Sequence, residues 1–73
     1  MKMSISTLQK EQMEDLYNLY NRQYYLCEND RERALGGMAA LKHVASIFGC
    51  RFESYGVETV SGKTVSVYRL EEI

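Results

Sequence analysis

Arg51-Phe52-Glu53-Ser54-Tyr55-Gly56-Val57-Glu58-Thr59-Val60-Ser61-Gly62-Lys63-Thr64-Val65-Ser66-Val67-Tyr68-Arg69-Leu70-Glu71 decides the fold. Two runs rich in Val, Tyr, Thr and Phe flank a Ser-Gly pair, which is the pattern of a β-hairpin. Antiparallel pairing sets Arg51 against Glu71, Glu53 against Arg69, Tyr55 against Val67 and Val57 against Val65. The expected loop is Val60-Ser61-Gly62, with glycine at the third position, where a left-handed residue is needed. One face then carries Tyr55, Val57, Val65 and Val67, and the other carries Phe52, Tyr68 and Leu70. The helices of a small chain can cover one such face but seldom both. The surplus predicts that a second copy or a partner protein covers the face of Tyr55, Val57, Val65 and Val67. Gly56 qualifies this, because a glycine inside a strand marks a bulge or a close approach. A bulge there would shift the register and could bring both apolar sets to one face.

Upstream, helical spacing takes over. Residues 1–6 are expected to fray at the terminus. Ser6-Thr7-Leu8-Gln9 fits a capping box and opens a first helix over 7–27. Met13, Leu16, Tyr17, Tyr20, Tyr24 and Cys27 form its apolar stripe. Lys10, Glu14, Asn18, Asn21, Tyr25 and Glu28 lie opposite, and Leu8, Leu19 and Leu26 form a second, narrower seam. Asn29-Asp30-Arg31-Glu32 reads as another capping box, opening a second helix over 31–48. Its stripe is Ala34, Met38, Leu41, Ala45 and Phe48, and Gly49 supplies the left-handed stop.

So short a connection makes the helices antiparallel neighbours. Large side chains of the first meet small ones of the second, and a tyrosine ring is expected over Gly37. Phe52, Tyr68 and Leu70 are expected on the helix face that carries Leu35, Ala39 and Ile47. The whole reads as one α+β domain over 1–73, of ααββ order, with the hairpin at 50–71.

The totals narrow the function. A 73-residue chain buries only about 60% of its unfolded surface, so oligomerisation is a natural source of extra stability. The net charge is −1, and the basic residues are scattered among acids. Phosphate backbones demand clustered positive charge, which argues against a large nucleic-acid footprint. A helix-turn-helix with a wing would have to use Arg31, Arg33, Lys42 and Lys63, and this is the alternative reading. Cys27 and Cys50 fall at opposite ends of the second helix, about 27 Å apart, too far for a disulfide. Both are expected as reduced, buried thiols, which fits the cytoplasm. The first six residues lack the apolar run of a secretory signal, and no segment reaches the ~20 apolar residues of a membrane span.

Chemistry is hard to find. His43 is the sole histidine, expected at the surface near Lys42 and Ser46. It cannot converge with Cys27 and Cys50 into a metal site, nor with Cys50 into a nucleophile pair. Glu11, Glu14 and Asp15 are assigned to the solvent face of the first helix. No phosphate-binding glycine loop or nucleophile elbow is present. The expectation is a non-enzymatic chain without cofactor, metal or small-molecule substrate. Tyr25, on the polar face beside Asn18, Asn21 and Arg22, joins Tyr55, Val57, Val65 and Val67 as a candidate partner-binding residue.

The segment Leu35-Gly36-Gly37-Met38-Ala39-Ala40-Leu41-Lys42-His43-Val44-Ala45, followed by a glycine and a hairpin, resembles small uncharacterised proteins of prophages and mobile elements of Gram-positive gut bacteria. The resemblance spans residues 15 to 60. It implies a cytosolic setting and an accessory or inhibitory role, and such elements also encode anti-CRISPR inhibitors. The function expected is a protein-interaction module, as a homodimer or against a host protein.

Overall fold

The computed structural model describes residues 5–73. The order is α1 (Thr7–Leu26), a 3-10 turn (Glu28–Asp30), α2 (Arg31–Ile47), β1 (Cys50–Val60) and β2 (Lys63–Glu72). This is the expected ααββ arrangement. The two strands form one antiparallel sheet.

Each helix boundary has a local cause. Ser6 caps α1 through a reciprocal pair: its side chain accepts from the Gln9 amide, and its own amide donates to Gln9 Oε1, both at 3.1 Å. Fraying was expected over 1–6, but Ile5 packs against the Ala45, Cys50 and Leu70 cluster and Ser6 is the cap itself; residues 1–4 lie outside the described residues. Gly49, at φ 71°, ends α2 in the left-handed region, as expected. The second capping box does not form. The chain takes the 3-10 turn first, so Asp30 rather than Asn29 is the N-cap, and no side chain caps the helix.

The helices pack closely around one glycine. A Cβ at Gly37 would lie 2.5 Å from Cε2 of Tyr20, so the ring rests directly on the backbone. This is the tyrosine-over-glycine contact that the sequence predicts. The core is thin: Tyr17, Ala34, Ala45, Cys50, Val65 and Leu70 are its buried apolar members. Leu16 and Cys27, expected in the first stripe, are exposed.

The hairpin follows the expected register from Arg51 opposite Glu71 to Ser54 opposite Tyr68. A bulge between Ser54 and Gly56 then shifts it, so Val57 faces Ser66 and Glu58 faces Val65. Tyr55 is the extra residue. The shift also corrects the loop. It is Ser61-Gly62, two residues at φ 51° and 79°, as a type I′ turn requires to match the strand twist.

The bulge moves one member of the expected apolar face: Val57, now opposite Ser66, joins the face of Phe52, Tyr68 and Leu70 instead of that of Val65. Val65 and Val67 stay on the other face, because β2 alternates without a break. Phe52 and Tyr68 do not use the expected face of α2, where Leu35 and Ile47 are about half exposed. They pack on α1 instead. Tyr17 stacks on Phe52 with ring centroids 4.0 Å apart and meets Tyr68 edge-on at 5.1 Å.

Candidate interaction surface at the free edge of β1

α1 lies along the outer edge of β2 and holds its main chain with three side chains. Glu14 Oε2 accepts from the Leu70 amide at 2.8 Å. Asn18 accepts from the Tyr68 amide at 2.8 Å and donates to the Tyr68 carbonyl at 2.9 Å. Asn21 donates to the Ser66 carbonyl at 2.8 Å. Residues 14, 18 and 21 follow one another about a helical turn apart, while strand residues two apart are separated by about 6.7 Å. The near match lets a helix stand where a third strand would otherwise pair. Asn21 is fully buried as a result.

This position also covers both sheet faces near β2. Tyr17 covers the face of Phe52 and Tyr68. Arg22 reaches Glu58 at 3.1 Å, and Glu58 faces Val65, so α1 also closes over the other side. Val65 is buried at 4% exposure, contrary to the expectation that it faces a partner, and Val67 is half-buried.

The other edge is different. In an antiparallel ladder, opposite pairs alternate between bonded and non-bonded. Tyr68, Leu70 and Ser66 turn their main chain towards α1. Their partners Ser54, Phe52 and Val57 therefore turn theirs away from the ladder, and Thr59 continues the series. Among the described residues, nothing hydrogen-bonds these groups on β1. Ser54, Tyr55, Gly56, Val57 and Thr59 are all exposed. Val57 is 68% and Tyr55 59% exposed, the latter with the Arg69 guanidinium 5.6 Å from its ring centroid. The solvent face beside them carries Arg51 with Glu53, and Arg69 with Glu71.

The other sequence-predicted residues scatter. Tyr25 is exposed on α1 and packs edge-on against Tyr24 at 4.9 Å. Arg31 donates to the Tyr24 carbonyl at 3.2 Å and stacks over that ring. Arg33 and Lys42 are exposed, and Lys42 lies about 16 Å along α2 from Arg31. Lys63 sits at the hairpin turn. The four basic residues are thus not gathered on one face. His43 is exposed, and Cys50 is buried with its thiol directed at the Phe48 carbonyl. Cys27 is exposed rather than buried, and both cysteines are free.

The edge ladder is what the sequence reading missed, since it assigned Glu14, Asn18 and Asn21 to solvent. One signal was present: two asparagines in mid-helix disfavour the helix unless their amides have work elsewhere. No family model, curated protein or solved structure matches this chain.

Proposed function

We propose that this chain is a non-enzymatic protein-interaction module that receives an extended strand of its partner along the outer edge of β1. One observation carries the reading. The edge of β2 is occupied by α1, whereas that of β1 is exposed and unpaired from Ser54 to Thr59. Unpaired strand edges are templates for strand addition, with main-chain bonds supplying affinity and alternate side chains specificity. Tyr55 and Val57 flank that edge as apolar anchors. The bulge limits the docked segment to a short one, because it breaks the edge between Ser54 and Gly56. In the setting implied by the prophage resemblance, the partner is a host protein that the chain inhibits stoichiometrically.

Proline substitution tests this directly. Val57 uses no amide in its own ladder, so Val57→Pro blocks the edge while sparing the hairpin. The expected result is a host protein retained by the native chain and lost from Val57→Pro, with slowed amide exchange at Val57 and Thr59 in the complex. A partner held equally well by the proline variant would refute strand docking.

A further inference from the structure

We infer that the outer face of the helix pair, turned away from the hairpin, is a dimer interface filled by the same face of a second copy. On α1, Leu8 and Leu19 lie on the opposite side from buried Tyr17, at about 100° per residue. They are 64% and 42% exposed. On α2, Gly36, Ala40, Val44 and Ile47 lie away from buried Ala34 and Ala45, and all are exposed. Where α1 begins and α2 ends, an open groove of about 360 Å³ between the helices adds Met13, Leu16, Leu41 and Phe48 to this surface.

The area suits a second copy. α1 has 20 residues, so the face is about 30 Å long, and two helices about 9 Å apart make it about 20 Å wide. That is about 600 Å² in projection. Two such faces together bury about 1,200 Å², the lower end of the range for stable interfaces. A lone docked helix, about 10 Å across, would fill the groove but leave Leu8 and Ile47 uncovered on its flanks. A second helix pair covers groove and flanks together and completes a four-helix bundle.

Size complementarity within the face points the same way. The large side chains are on α1, and the small ones, Gly36 and Ala40, are on α2. A two-fold axis parallel to the helices lays α1 of one copy over α2 of the other, with Leu19 at the level of Gly36 and Ala40, since Tyr20 lies beside Gly37. A Cβ at Gly36 would meet nothing within the chain. The propensity lost to this mid-helix glycine is therefore not recovered inside one copy, whereas a helix approaching from a second copy would use the space. The hairpins then lie on the outside of the bundle, and both β1 edges stay free. The dimer does not depend on the strand-docking reading.

Light scattering on a sizing column at tens of micromolar tests it. The native chain should elute with twice the mass of one 8.5 kDa copy. Leu19→Asp and Ala40→Glu each bury a charge in the bundle, so dimerisation should weaken at least about tenfold. Helical circular dichroism should persist, and Val57→Pro should remain dimeric. Ala40→Glu is read even if Leu19→Asp fails to fold, since Ala40 is exposed in one copy. A single-copy mass at hundreds of micromolar overturns the inference. So does a dimer that survives both substitutions, or one that dissociates with Val57→Pro alone.

Discussion

Gly37 and Gly36 are adjacent in sequence yet meet opposite surroundings. A Cβ at Gly37 lies 2.5 Å from the Tyr20 ring, while one at Gly36 meets nothing within 4 Å. Gly37→Ala therefore forces the helices apart. Overpacking of about 1–3 kcal/mol, less the ~1 kcal/mol that alanine gains over glycine in a helix, leaves a net loss of up to about 2 kcal/mol. Gly36→Ala should instead raise the stability of the dilute chain by up to about 1 kcal/mol. Urea denaturation of the pair reads both signs at once, and equal effects would show that the Tyr20 contact does not matter. Asn21 is the second sensitive residue. Asn21→Ala leaves the Ser66 carbonyl without its donor in a buried position and should cost about 1–3 kcal/mol. A loss close to zero in the same titration would mean that water replaces the amide freely.

At the scale of elements, the boundaries with local causes were legible. Ser6 with Gln9, Gly49, and the strand pairing from Arg51 to Ser54 each depend on residues a few positions apart or directly opposite. Ser6→Ala removes the cap and should lower the melting temperature, at a cost of about 1 kcal/mol. The hairpin makes a sharper prediction. Val57 and Glu58 are neighbours, but only Glu58, opposite Val65, turns its amide into the ladder. Glu58→Pro should unravel the distal hairpin, whereas Val57→Pro should leave the fold near native, as judged by amide exchange at Val65 and Val67. Comparable damage from both would place the register shift elsewhere. The bulge itself was only half legible: Gly56 marked the place, but the two-residue turn that follows from the shift did not show in the residue pattern. Asn29 failed as a cap because it lies inside the 3-10 turn, which leaves Asp30 at the N-cap position.

The stability of the whole molecule is coupled to alkaline pH through its core tyrosine. Burial raises the Tyr17 hydroxyl above its usual value of 10.0, with smaller contributions from Tyr68 and Tyr25. The folded chain thus keeps this proton when the unfolded chain has lost it. Its stability contribution is fully present below pH ~10 and falls as pH rises beyond that value. Chemical denaturation between pH 8 and about 11 should show this decline, and Tyr17→Phe should flatten it. A variant as steep as the native chain would assign the decline to other groups.

Sequence periodicity alone established two helices, their antiparallel packing around Gly37, and a terminal hairpin, because each depends on spacing within one element or across one short link. It also predicted more apolar surface than one copy hides, and placed the excess on the hairpin. Tertiary structure moved it. By lying on the edge of β2 instead of on a sheet face, α1 buried Val65, occupied Glu14, Asn18 and Asn21, and left Leu8, Leu19, Val44 and Ile47 exposed. Which edge a helix caps depends on contacts between residues some fifty positions apart, and no local period records them.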